Sequence, residues 1–213
     1  MVYYHVWDNY PPPKYNQKWY ESNDVVACIS KLTYDVVGKV APNVERHYMP
    51  HSVDSSIFYK RDEEEIQSFK ENSFGDDYKR FTFFWNNRNA RRKMSGSVLW
   101  WFNEFAEEVG PENVRLIMHT DPHDKNGQDL VRIIGDLEAD DGRIQISQQK
   151  LDPEVLSKIY NSVDCTINIS DAEGFGLATL ESLSCGTPII ANMTGGLQEQ
   201  VTDGEEVFGV PVH

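Results

Sequence analysis

Val163-Asp-Cys-Thr-Ile-Asn-Ile-Ser170 runs into Asp171-Ala-Glu-Gly-Phe-Gly176, then into Leu177-Ala-Thr-Leu-Glu-Ser-Leu-Ser-Cys185, and after Gly186-Thr-Pro188 comes Ile189-Ile-Ala191. A short β-branched run, a turn with two glycines, a longer apolar-periodic stretch and a second short apolar run read as strand, loop, helix and strand. The same alternation extends upstream. Strands are expected at 80–85, 114–119, 143–146, 165–169 and 188–191, with helices at 95–109, 129–137, 153–161 and 176–185. A short helix at 197–201 and a last strand at 207–210 follow. Strands alternating with helices predict an α/β domain built on a parallel, doubly wound sheet. Such sheets bind ligands beyond the carboxyl ends of their strands.

Further towards the N-terminus the pattern is thinner. Residues 1–23, rich in Tyr, Trp, Pro and Asn, read as irregular chain. A strand is expected at 24–30, a helix at 31–40 capped by Ser30, and a strand at 45–49. Residues 50–60 have turn chemistry, and the polar stretch 61–79 contains an acidic helix start at Asp62, Glu63, Glu64 and Glu65. The organisation is a small N-terminal piece, a linker and one near-complete α/β domain.

The 213 residues carry a net charge of -14, which argues against broad binding to nucleic acid or anionic lipid. No run of about 18 apolar residues occurs, so no transmembrane helix is expected. The N-terminus lacks the basic-then-apolar order of a secretory signal. Cys28, Cys165 and Cys185 stand far apart in apolar surroundings, which predicts buried free thiols in a reducing, cytoplasmic setting.

Three segments can carry chemistry. In the first, Gly174 and Gly176 allow close backbone approach, and the following helix offers unpaired N–H groups at its start. Glu173 precedes that helix, and Glu181 lies about five residues inside it, roughly 8 Å along the axis. Two carboxylates so spaced suit two separate sets of hydroxyls; two surface glutamates flanking a glycine turn are the structural alternative. The second segment is Trp85-Asn-Asn-Arg88-Asn-Ala-Arg91-Arg92-Lys93, an anion site in so acidic a chain, or else a solvated basic turn. In the third, Asn192-Met-Thr-Gly195-Gly196-Leu-Gln-Glu199, the glycine pair either approaches a ligand backbone-first or makes a tight turn. His119, Asp121, His123 and Asp124 lack metal-ligand spacing, and no metal is expected.

In this order the three segments resemble glycosyltransferase family 4, retaining enzymes of the GT-B fold (glycosyl transferases group 1). Glu173-Gly174-Phe175-Gly176 with Glu181 matches the family signature, a Glu-Gly-Phe-Gly segment with a second Glu eight positions on. Cys185-Gly186-Thr187-Pro188-Ile189-Ile190 is similar to the family's Gly-x-Pro strand, and Thr194-Gly195-Gly196 with Glu199 to its Gly-Gly-x-x-Glu segment. Arg88 and Lys93 have the offset of its diphosphate-binding Arg and Lys, and Pro50-His51-Ser52-Val53-Asp54 resembles its interdomain linker. Two positions depart from the pattern: Asn87 and Met94 stand where the family has glycine, which predicts a differently shaped diphosphate loop.

The resemblance implies a near-complete Rossmann-like C-terminal, nucleotide-sugar-binding domain over 80–213, a linker and polar lead-in over 55–79, and a remnant of the N-terminal, acceptor-side Rossmann-like domain over 1–54. Most of that N-terminal domain is expected to lie outside this chain. It implies transfer of a sugar from a nucleotide-sugar donor of UDP, GDP or ADP type to a glycan, lipid or protein acceptor, with retention and without cofactor or essential metal. Glu181 would bind the ribose hydroxyls. Glu173 and the N–H groups of Phe175 and Gly176 would hold the transferred sugar, with Gly174, Leu177, Gly195 and Gly196 lining the donor site. Arg88 and Lys93 would neutralise the leaving diphosphate. The resemblance leaves room for a peripheral membrane contact through the N-terminal domain, and none for nucleic acid. The alternatives are a non-catalytic nucleotide-sugar-binding or interaction module, and a sugar-nucleotide epimerase of the same fold.

Overall fold

A computed structural model describes residues 1–209. These fall into two compact units. The first combines 1–52, 170–177 and 191 onwards; the second combines 53–169 and 178–190.

The first unit is built on three parallel strands in the order β1 (Val2–His5), β2 (Val25–Cys28), β3 (Glu45–Tyr48). The register pairs His5 with Cys28 and Cys28 with Tyr48. Residues 1–23 are therefore more ordered than their composition suggests. They hold β1, a 3-10 turn at Lys14–Asn16 and α1 (Gln17–Glu21). Four residues of Val-Tyr-Tyr-His carry little local signal; they become a strand by pairing with β2, some 23 residues away by register. Helix α2 (Lys31–Val40) begins where Ser30 predicts it, the Ser30 Oγ accepting from the Thr33 N–H at 3.1 Å. Its Val36, Val37 and Val40 are buried, and Val37 and Val40 form a core with Val26, Cys28, Tyr20 and Ala41.

The second unit opens with α3 (Glu63–Phe74), whose acidic first turn suits a helix N-terminus. It then alternates: β4 (Phe81–Asn86), α4 (Ser95–Val109), β5 (Val114–His119), α5 (Leu130–Asp136), β6 (Ile144–Ser147), α6 (Pro153–Ser162), β7 (Cys165–Asn168), α7 (Leu177–Ser184) and β8 (Ile189–Ala191). The sheet order is β6-β5-β4-β7-β8, and β4 runs parallel to both β5 and β7. Each buried strand feeds two cores, because side chains alternate across a sheet. Trp85, Leu116 and Met118 point to α4 and α5, meeting Leu99, Phe102 and Leu130; Phe84 and Ile117 point the other way, to Tyr160, Val163, Cys185 and Phe58. That double burial is why these strands read as apolar runs.

A 3-10 turn at Gly195–Leu197 and α8 (Gln198–Val201) belong to the first unit. Of the strand expected at 207–210, Val207 forms an isolated antiparallel bridge to Thr202, and position 210 lies outside the described residues.

Candidate functional site

Topology selects the loops. The strand order reverses at β4, between β5 on one side and β7 on the other, and ligands of open parallel sheets bind beyond strand ends at such a switch. The segment leaving β4 is 87–94, which carries Arg88 and Lys93; α7, which follows β7, carries Glu181.

The loop after β4 is held by the loop after β5. Asn89 is fully buried and makes every bond an amide can. Its Nδ2 donates to the carbonyls of Gln128 (2.7 Å) and Pro122 (3.3 Å), while its Oδ1 accepts from Ser95 Oγ (2.8 Å) and the Gln128 N–H (3.2 Å). The Arg91 N–H donates to the Asn126 carbonyl at 3.0 Å. Gln128 Oε1 accepts the Gly96 N–H at 2.9 Å, using one of the unpaired donors at the start of α4. Lys93 is buried in a 3-10 turn, Arg91–Lys93, while Arg91 and Arg92 are exposed. Arg88 is exposed and pairs with Asp124 through Nε at 2.6 Å. Met94 has φ 57° and ψ 33°, the left-handed conformation glycine prefers. The backbone at this position thus keeps a glycine-like geometry under a methionine side chain.

Glu181 sits on α7, most of it out of solvent. Burial pushes its carboxyl up from the usual range, against the lowering effect of a hydrogen bond from Tyr160. Thr179 and Ser182 turn to the opposite side of the helix and bind β7: Asn168 Nδ2 donates to Thr179 Oγ1 at 3.0 Å, and the hydroxyls of Thr166 and Ser182 lie 2.7 Å apart. This polar seam fixes the rotation of α7 about its axis.

In the first unit, Glu173, Gly174, Phe175, Gly176, Gly195 and Gly196 are all buried, and Leu177 is exposed. Here the two glycine segments are brought together. Gly196 N–H donates to the Glu173 carbonyl at 2.8 Å. A β-carbon on Gly195 would land on that same carbonyl oxygen, and one on Gly196 would lie 2.5 Å from the Gly174 oxygen and 2.7 Å from the Phe175 Cα. The pair therefore serves close approach of backbone to backbone. Thr194 Oγ1 donates to the Asp171 carbonyl (2.9 Å) and Gln200 Nε2 to the Phe175 carbonyl (2.6 Å), bracing both ends of the loop. Phe175 meets the His51 ring edge-on, centroids 5.6 Å apart. Ser170 Oγ lies 3.5 Å from Glu173 Oε2. Glu199 accepts from the Lys31 N–H (3.0 Å) and the Tyr48 hydroxyl (2.6 Å), so it caps α2.

Taken unit by unit, Arg88 and Lys93 share one loop of the second unit and Glu181 lies on a helix of that unit, while the Glu173–Gly176 and Gly195–Gly196 segments meet within the first. Sequence reading missed Asn89, Asp124 as an arginine partner, and Tyr160. His119 Nδ1 lies 2.9 Å from Ser147 Oγ and His123 faces Asp129, so the two histidines serve different neighbours. Among the described residues no group of three or more His, Cys, Asp or Glu is arranged to hold a metal ion.

Residues 112–213 match the family model of glycosyl transferases group 1. The chain is 25% identical over 186 residues to the N-acetyl-alpha-D-glucosaminyl L-malate synthase of Bacillus anthracis, covering 87% of this chain and 45% of that protein. In structure it is similar to sucrose-phosphate synthase from Thermosynechococcus elongatus, with a TM-score of 0.73 at 22% identity over 88% of this chain and 45% of that one. It is also similar to Anabaena Alr3699/HepE in complex with UDP and glucose, with a TM-score of 0.75 at 16% identity over 95% and 55% of the two chains. The chain thus spans about half the length of these proteins, 45% to 55%. Within the described residues no helix is long and apolar enough to cross a membrane. The chain is thus similar to glycosyl transferases group 1 over 112–213, and its α/β fold is the one found in GT-B glycosyltransferases.

Proposed function

We propose that this chain supplies the donor-binding part of a glycosyltransferase that moves a sugar from a nucleoside-diphosphate sugar to an acceptor with retention of configuration. The observation that carries the reading is Glu181: a carboxylate that burial disfavours, held in one orientation on a helix of the matched domain. Carboxylates perturbed by burial and held by a specific partner cluster at functional sites.

The roles follow residue by residue. Glu181 accepts the hydroxyls of the ribose. Arg88 and Lys93 balance the charge that grows on the departing diphosphate, the largest electrostatic demand of the reaction. Glu173, with the N–H groups of Phe175 and Gly176, binds the sugar being transferred. The acceptor attacks on the face the nucleotide leaves, so that configuration is retained without assigning Glu173 as a nucleophile. Gly195 and Gly196 act one step back, by shaping the Glu173 loop.

Calorimetric titration of the chain with UDP, GDP and ADP and their common sugar conjugates tests this, beside Glu181→Ala and the double variant Arg88→Ala/Lys93→Ala. One nucleotide binds, and both variants weaken it. Binding that survives both substitutions unchanged overturns the assignment.

A further inference from the structure

Tyr160 lies on α6, 1% exposed, its ring edge-on to Phe84 and Phe58 with centroids 5.4 and 6.3 Å away. An aromatic slot of this kind is filled as well by phenylalanine. A hydroxyl placed there is costly unless it is fully bonded. Here both of its capacities are used: it donates to Glu181 Oε2 at 2.8 Å and accepts from Asn86 Nδ2 at 2.8 Å. The polarity is fixed, because the amide nitrogen can only donate and the ionised carboxylate can only accept. One oxygen of Glu181 is therefore tied down. Its other oxygen, Oε1, takes no hydrogen bond among the described residues. Asn86 is the last residue of β4, two positions before Arg88.

We infer that Tyr160 is a positioning residue for nucleotide recognition: anchored by Asn86, it holds the Glu181 carboxylate in the one rotamer that turns Oε1 to the ribose hydroxyls. This rests on the reading of Glu181 given under Proposed function. The relay also gives the carboxylate and the cationic loop a common origin at the end of one strand. Ribose and diphosphate are then gripped at a fixed spacing, and a ligand lacking either group loses that match.

The test separates orientation from mere packing by the ligand. Whichever of UDP, GDP and ADP binds the wild-type chain is titrated calorimetrically, together with its 2′,3′-dideoxy form and inorganic pyrophosphate. Tyr160→Phe keeps the ring and removes the hydroxyl. It weakens the ribonucleotide about tenfold, the worth of one hydrogen bond to a charged group, and leaves the dideoxy form and pyrophosphate unchanged. Glu181→Ala/Tyr160→Phe binds no more weakly than Glu181→Ala alone, since the two act in series. Should Tyr160→Phe not fold, Asn86→Ala gives the same ribose-selective loss, about threefold. An unchanged ribonucleotide affinity in folded Tyr160→Phe overturns the inference, as does an equal fall for all three ligands or full additivity with Glu181→Ala. If Glu181→Ala weakens binding and Tyr160→Phe does not, only this inference falls. If the folded wild type binds none of the three nucleotides, the donor-site reading falls and takes this one with it.

Discussion

Arg88 and Asp124 meet edge to edge, Nε to Oδ2 at 2.6 Å and Nη2 to Oδ1 at 3.3 Å. The carboxylate is the fixed member: its side chain is 12% exposed against 65% for the arginine, and Oδ1 also accepts from the N–H and Nδ2 of Asn126 at 2.9 and 2.8 Å. A guanidinium has more than one edge to offer. Asp124 occupies the Nε–Nη2 edge and leaves Nη1 out of the pair, so the pair orients the cation without using all of its donors.

This pair has a pH signature. Its hydrogen bonds from Arg88 and Asn126 hold the Asp124 carboxyl well below the usual carboxylate range. A depressed folded pKa stabilises above the unfolded value, near 3.8, and the contribution is lost as pH falls below it. Asp124→Asn is therefore less stable than wild type at pH 7 by urea denaturation, and the gap closes below pH 4. A gap that stays constant with pH would rule out the ion pair as its source.

Glu181 behaves oppositely. Burial raises its carboxyl, so the folded state favours the protonated form, and that contribution is lost as pH rises through the folded value. Glu181→Gln keeps an acceptor for Tyr160 and removes the buried charge. It melts higher than wild type at pH 7, with no advantage at pH 4, and binds nucleotide more weakly. Stability and affinity that fall together would mark Glu181 as structural.

Gly195 and Gly142 separate strain from collision. Both have positive φ, 49° and 91°, but a β-carbon at Gly142 meets nothing within 4 Å. Gly142→Ala costs about 1 kcal/mol of left-handed strain. Gly195→Ala must also drive the Glu173 loop away, and costs more than about 3 kcal/mol. Equal melting temperatures for the two variants would refute the backbone apposition.

Met94→Gly relieves a left-handed residue at the start of α4. The strain removed, about 1–2 kcal/mol, exceeds the added chain entropy of about 0.4–1 kcal/mol. The variant is stabilised by roughly 0.5–1 kcal/mol in chemical denaturation, and a destabilised variant would show that the Met94 side chain earns its place by packing.

The three thiols are buried, and burial raises each of them, Cys28 to about 11. A thiol-specific disulfide reagent at pH 8 titrates none in the native chain and all three once urea unfolds it.

The second unit was legible because its central strands bury both faces and because α5 and α6 start at their own caps, Asp129 and Asp152. The expected 95–109 and 114–119 coincide with α4 and β5. The thiols are free and buried as composition suggests. β1 was not legible: an edge strand of four residues is made by its partner, and Val-Tyr-Tyr-His has no period long enough to read. At the candidate site the glycines, glutamates and cations stand out as residue types. The residues that orient them do not. Tyr160 has the spacing of a core residue, Asn89 that of a loop residue, and Asp124 is paired across 36 positions. Their bonds join segments far apart in the chain, which no local pattern encodes.

The first unit is assembled from three separated stretches, and this sets an order of completion during synthesis. The second unit is closed once residue 190 has left the ribosome, whereas the first still waits for 191 onwards. Of the two units, the one whose strands emerge first is thus finished last, with β1–β3 made well before the loops that belong with them. A single proteolytic nick just after residue 190 would break the covalent path that joins 191 onwards to the rest of the first unit, while leaving β1–β3 uncut.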